Sequence, residues 1–156
     1  MHHHAPADYT CPVCLGIQHA ITDDTLIRPS DIVLQTETVT VFINSFFMDT
    51  NPGHAIVVPN EHYENLYDLP PDVHHALGDA VQRVAAAMRQ AYRCDGITTR
   101  QNNEPAADQH AFHYHHHVIP RYTADRFNNV NQAKNKRQVD SAEREAYAKK
   151  LRAALH

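Results

Sequence analysis

The sequence predicts an α+β domain: an antiparallel sheet of about five strands, with one long helix and a C-terminal helix. Three observations carry this. β-branched and aromatic residues gather in short runs at 32–34, 39–43, 54–58, 97–101 and 111–119, bounded by Pro, Gly, Asn and Asp. A single helical pattern, Val73, Leu77, Val81, Val84, Met88 and Tyr92, separates the third run from the fourth. A second helical pattern closes the chain after Asp140.

In chain order, residues 1–8 contain no apolar signal core and are expected to be a disordered or tag-like N-terminus. Cys11-Pro12-Val13-Cys14 forms a short knuckle ahead of Gly16. A redox Cys-x-x-Cys belongs between a strand and a helix start, and no such context is visible, so a metal is the expected partner. Runs 32–34 and 39–43 read as a hairpin. Residues 45–51 are expected to be a loop, after which Pro52-Gly53 leads into the third strand, which Pro59 ends. His54 stands at the edge of that strand, beside a glycine that admits close approach.

Pro70-Pro71-Asp72 starts the long helix and Asp95-Gly96 stops it. A fourth strand follows at 97–101, a turn at 102–108, and then run 111–119 as the fifth and central strand, closed by Pro120. Residues 121–139 are polar and read as irregular. The last helix, 141–154, opens on Asp140 with Glu143 at capping-box spacing and shows Ala142, Ala146, Tyr147 and Leu151 as its apolar face. One domain over 9–122, followed by a polar segment and helix over 123–156, accounts for the chain.

Composition narrows the function classes. No run approaches the roughly 18 apolar residues of a membrane span. The formal charge of −4 divides into a body, 1–120, with 5 Lys+Arg against 14 Asp+Glu, and a tail with 9 against 4. A basic helix face beside an acidic body explains the tail as well as a polyanion would, so nucleic acid is not the expected partner. Three cysteines and no signal sequence point to a reducing, cytoplasmic setting, with Cys94 a small buried hydrophobe.

The chemistry concentrates in 111–119. Side chains alternate along a strand, so His113, His115 and His117 share one face. A sheet core gains nothing from three imidazoles in a row, because burial and mutual repulsion oppose their charged forms. Two readings of the row remain: a chelate for a catalytic metal, or a neutral imidazole nucleophile whose neighbours bind an anion.

The triad, with Asn102-Asn103 and Gln109 before it and Pro120-Arg121 after it, resembles the histidine triad (HIT) family, whose signature is His-φ-His-φ-His-φ-φ with φ apolar. The resemblance runs over about residues 9–122 and takes in the stretch Asn51 to His62 and the Cys11-Cys14 pair. It implies a structural zinc on Cys11, Cys14, His62 and His113, a closed set of two thiolates and two imidazoles. It implies His115 as the nucleophile that attacks an α-phosphate and carries a nucleotidyl group. By the same resemblance His54 and His117 contact the phosphate oxygens, backbone N–H groups at Gln109 and His110 add donors, and Asn102 touches sugar or phosphate. Asn44 is a further candidate, for the ribose.

The implied activity is a nucleotide hydrolase or transferase acting on a nucleoside phosphoramidate, a dinucleoside polyphosphate or a related adenylylated compound. His117, where the uridylyltransferase branch has Gln, favours the hydrolase branches. A non-catalytic purine-nucleotide-binding module and a metal-dependent hydrolase using the histidine row stand as alternatives. The chain departs from the pattern at His116, an apolar position; at His110, where relatives have Ser or Thr; at Asp108, where they have Gly; and at Glu104-Pro105, in place of a Gly-containing turn. Small residues flanking the long helix's apolar stripe, Ala76, Ala80, Ala85, Ala86 and Ala87, together with the family's habit of pairing, imply a homodimer.

Overall fold

The computed structural model describes residues 3–20, 27–127 and 136–155. Strands β1 (Ile32–Gln35), β2 (Val39–Ile43), β4 (Ala55–Pro59), β5 (Gly96–Gln101) and β6 (His116–Arg121) form one antiparallel sheet in the order β1-β2-β4-β6-β5. The expected number of strands is present, but β4 holds the middle and β6 lies one place in from the edge. The expected strand 111–119 is also shorter, beginning at His116. Both of its ladders end there, at Val57↔His116 and Gln101↔His116. Upstream of that point the Tyr114 N–H donates to the Tyr63 carbonyl at 2.6 Å, so this stretch is tied to a loop instead of a strand.

Helix α2 (Pro71–Tyr92) lies on one face of the sheet, where Val73, Leu77, Val84 and Met88 join Val41, Ile43, Val57 and Val118 in the main core. It ends through Arg93, which takes the left-handed conformation at φ 51°. The opposite face of the sheet carries Phe42, Ile56 and Val58, and these pack under a six-residue helix, α1 (Pro12–Ile17), formed by the cysteine knuckle. Ahead of it, the backbone N–H groups of His4 and Ala5 donate to the buried Glu64 carboxylate at 2.6 and 3.4 Å.

Two short strands fall where loop was expected. β3 (Phe46–Met48) pairs with β7 (Lys136–Gln138), in the polar stretch read as irregular. Residues 128–135 of that stretch lie outside the described residues. The apolar anchors of this pair are Phe47, fully buried and edge-on to Tyr147 at 5.3 Å, and Met48, buried with Ile119 and Phe127.

The final helix, α3 (Ser141–Ala154), is capped as expected, the Asp140 carboxylate accepting from the Glu143 N–H at 2.8 Å. Its buried face differs: Arg144, Ala148 and Leu151 point inward, whereas Ala142 and Ala146 are exposed. The reason is electrostatic. Arg144 Nε donates to Asp31 Oδ1 at 2.9 Å, both side chains being buried, and its guanidinium also donates to the Val139 carbonyl. Pattern reading treats an arginine as a solvent residue and so puts Ala142 and Ala146 on the inward face in its place, whereas Leu151 and Tyr147 pack on the core as expected.

Candidate functional site

Directly opposed residues of an antiparallel pair share a face. The register Phe42↔Ile56↔His117↔Arg100 therefore puts Asn44, His54, His115, His117, Arg100 and Asn102 on the face that α2 does not cover. Two groups of side chains are built there, joined by His113.

The first group is Cys11, Cys14, His62 and His113, whose ligand atoms lie within 4.8 Å of one another. His113 is fully buried, and its Nε2–H donates to the Pro59 carbonyl at 2.9 Å, which leaves the Nδ1 lone pair facing the sulfurs. Nδ1 lies 3.5 Å from Cys11 Sγ and 3.6 Å from Cys14 Sγ, and His62 Nδ1 lies 3.4 Å from Cys14 Sγ. A tetrahedron with zinc bond lengths has S···N edges of about 3.6 Å, which these three spacings match. The protonation states fit too. Burial pulls His113 down to about 4, keeping it in the neutral, ligating form. Burial and the neighbouring Cys11 push the Cys14 thiol up to about 12, a shift that a bound cation would offset by stabilising the thiolate. These four residues can hold a metal ion.

The second group is the triad proper. His115 Nδ1 lies 2.8 Å from the His113 carbonyl, which can only accept, so the proton sits on Nδ1 and the lone pair on Nε2. Burial lowers its pKa, keeping the ring neutral near pH 7. Asn44 Nδ2 lies 3.2 Å from His54 Nδ1, and His54 Nε2 lies 2.8 Å from His117 Nδ1. With the Asn44 amide donating, the chain has one sense: His54 Nε2–H donates to His117, and His117 keeps its own proton on Nε2. Burial takes His54 down to about 3 and, with His54 beside it, lowers His117 further still. The rings of His115 and His117 meet edge to face, with centroids 4.9 Å apart. The site thus offers one uncharged nitrogen lone pair beside an N–H donor.

The loop before the triad is held by Gln109, whose Nε2 donates to the Glu64 and Ala111 carbonyls while its Oε1 accepts the Glu104 N–H. Its own N–H donates to the Glu104 carbonyl at 3.1 Å, so the Gln109 backbone braces the loop and is not a spare phosphate donor. Asn44, read from sequence as a ribose candidate, here orients His54. His110 is exposed, and its charged form acts against protonation of His115. Asn102 is half-buried, two residues past Arg100 on the same face.

The departures from the family pattern have local explanations. Asp108 has φ 65° and Glu104 φ 73°, positions where a glycine is unstrained. Asp108 is exposed, and the Glu104 carboxylate pairs with His4 Nδ1 at 2.9 Å. His116 alternates to the other face, with His74 among the groups that act on it.

Sequence reading missed Glu64, Arg100 and the Asn51–Asp125 pair. Asn51 Nδ2 donates to the Pro120 carbonyl at 2.7 Å and to Asp125 at 2.8 Å, locking the turn before His54 to the end of β6. Arg100 was detectable in principle, since it has the same two-residue period as Asn102. The others act across 40 or more residues and leave no local signal.

A HIT domain family model matches residues 26–124. Adenosine 5'-monophosphoramidase HNT1 of Saccharomyces cerevisiae is 31% identical over 119 residues, 75% of this chain and 67% of that protein. Bis(5'-adenosyl)-triphosphatase of Dictyostelium discoideum is 32% identical over 104 residues, 67% of this chain and 68% of that protein. The crystal structure of a zinc-bound histidine triad family protein from Mycobacterium smegmatis superposes with a TM-score of 0.75 at 28% identity, covering 94% of this chain and 93% of that one. The chain spans two thirds or less of several other curated relatives that it matches, with 66%, 63% and 41% covered in three of them.

Proposed function

The chain belongs to the HIT family, and on that premise we propose that it is a nucleotide hydrolase or transferase working through a nucleotidyl-His115 intermediate. The observation that carries this is the His115–His113 hydrogen bond, which fixes the tautomer and aims an uncharged Nε2 at the open face. The lone pair on Nε2 attacks the α-phosphorus. The bond from phosphorus to the leaving group breaks, and its electron pair departs with the leaving oxygen or nitrogen, a nitrogen taking up a proton from solvent as it leaves. His117 Nε2–H donates to a non-bridging oxygen as charge builds there, held by the His54–Asn44 chain. Water then attacks the same phosphorus, the P–N bond returns its electrons to His115, and the water's proton is released with the nucleoside monophosphate.

The substrate class is a purine nucleoside phosphoramidate, a dinucleoside polyphosphate or a related adenylylated compound, as the names of the two enzymatic relatives suggest. Zinc is the metal proposed for Cys11, Cys14, His62 and His113. When bound it pins α1 to the sheet and stays out of the chemistry, since it takes only His113 from the triad. A homodimer is proposed through the half-sheet edge at β5 and the neighbouring α2 stripe. α3 packs on α2 and covers part of that stripe within the chain, through Tyr147 and Leu151. Among the described residues no helix is long and apolar enough to cross a membrane. A reducing, cytoplasmic setting is proposed from the use of the three cysteines.

Replacement of His115 tests the mechanism. His115→Asn should fold normally, lose turnover of a nucleoside phosphoramidate, and show no covalent nucleotidyl adduct by mass spectrometry under alkaline quench. A variant with near wild-type turnover would overturn the nucleophile assignment. Loss of wild-type turnover on chelation, with metal found on His115 and His117, would instead indicate the metal-dependent hydrolase. Tight purine nucleotide binding by a wild-type protein that turns nothing over would indicate the binding module.

A further inference from the structure

Arg100 on β5 is paired in register with His117 on β6. Side chains so opposed have Cβ atoms about 4.5–5.5 Å apart on one face, so the half-buried Arg100 rises beside the triad. The acidic body, residues 1–120, holds only five Lys and Arg. Arg28 precedes β1, while Arg83 and Arg89 lie on α2 and Arg93 at its end. Arg100 is the one whose strand register brings it to the histidines. Its charge opposes protonation of both His54 and His117, and Lys136 on β7 acts on the same two rings. One permanent cation, Arg100, therefore stands in register beside a site whose histidines are themselves uncharged, and a second, the exposed Lys136, acts on it electrostatically.

The α-phosphate alone does not account for them. In a phosphoramidate or a dinucleoside polyphosphate that group carries about one negative charge, and neutral N–H donors already serve it. What differs between the two substrate classes is the leaving group. An amine departs neutral once protonated, whereas a nucleoside polyphosphate departs with the electron pair of the broken P–O bond on its terminal oxygen and carries further charged phosphates. A guanidinium suits those oxygens, because its planar fork of donors matches phosphate in geometry and charge.

We propose that Arg100, assisted by Lys136, binds the phosphates beyond the α-phosphate and makes this site selective for substrates whose leaving group is a phosphate chain. The proposal rests on the nucleotidyl-His115 reading for its chemistry, but not for its binding. The test compares kcat/KM for a dinucleoside triphosphate with kcat/KM for a nucleoside 5'-phosphoramidate in the wild type, Arg100→Gln, Arg100→Lys and Lys136→Gln. Arg100→Gln should lower the ratio of the two by about tenfold or more, the loss of one charged hydrogen-bonding partner. Arg100→Lys should recover part of the loss, and Lys136→Gln, at an exposed position, should shift the ratio in the same direction by less. An unchanged ratio in Arg100→Gln, even with both rates reduced, would overturn the proposal, because a merely structural arginine affects both substrates alike.

If the wild type turned over neither substrate, the nucleotidyl-His115 reading would fail and Arg100 would be judged by binding. The wild type should then bind ADP more tightly than AMP, and Arg100→Gln should erase that preference. Equal affinities for ADP and AMP in the wild type would sink the assignment.

Discussion

Replacing Gly53 by Ala should destabilise this protein at the hinge of its site. Gly53 immediately precedes His54 and has φ 84°, a backbone state in which an L side chain costs about 1–2 kcal/mol. A Cβ built there would lie 2.6 Å from Tyr147 Cδ1 and 2.8 Å from Tyr92 Cε2, well inside contact distance. Those rings have little room to retreat. Tyr147 stands edge-on to Phe47 and to Tyr92, each at 5.3 Å, and the Tyr92 hydroxyl donates to the Tyr147 carbonyl. Overpacking of this kind costs about 1–3 kcal/mol, so the sum is roughly 2–5 kcal/mol. For a chain of this length that lowers the melting temperature by about 4–20 °C. Urea unfolding measures it, with the midpoint falling and the slope unchanged.

Gly78 supplies the opposite sign. It is exposed on α2, with nothing within 4 Å of a built Cβ, so Gly78→Ala should stabilise by about 0.5–1 kcal/mol. In a Tyr147→Ala background, Gly53→Ala should cost less, because one of the obstructing rings is gone. A Gly53→Ala protein within about 0.5 kcal/mol of wild type, the scatter of ordinary surface changes, would refute the reasoning.

Two further outcomes are expected. Protein purified without chelator should contain one zinc per chain, and Cys11→Ser should lower thermal stability more than it lowers activity at low temperature; elemental analysis finding no zinc would dispose of the structural metal. Sedimentation equilibrium at micromolar concentration should show a species near twice 17.7 kDa, and one at 17.7 kDa itself would exclude the dimer.

The sequence by itself determined the α+β class, the approximate positions of four of the five sheet strands and of the long helix, and the spacing of the histidines. These are local signals: β-branched runs, a 3.6-residue stripe, and a two-residue alternation that survives in His113, His115 and His117 even though the strand starts only at His116. Capping of α3 by Asp140 was legible for the same reason, as it spans three residues.

What only the tertiary structure decided depends on groups distant in sequence. The inward turn of α3 follows from the Arg144–Asp31 pair across 113 residues, whose mutual neutralisation lets a charged side chain enter the core. β3 and β7 are too short and, in β7, too polar to announce themselves, and they pair because Phe47 needs cover. The protonation of the triad was equally out of reach. Which nitrogen of His115 attacks, and why His54 and His117 stay neutral, depends on a carbonyl, an amide and the depth of burial, and none of these exists until the chain has folded.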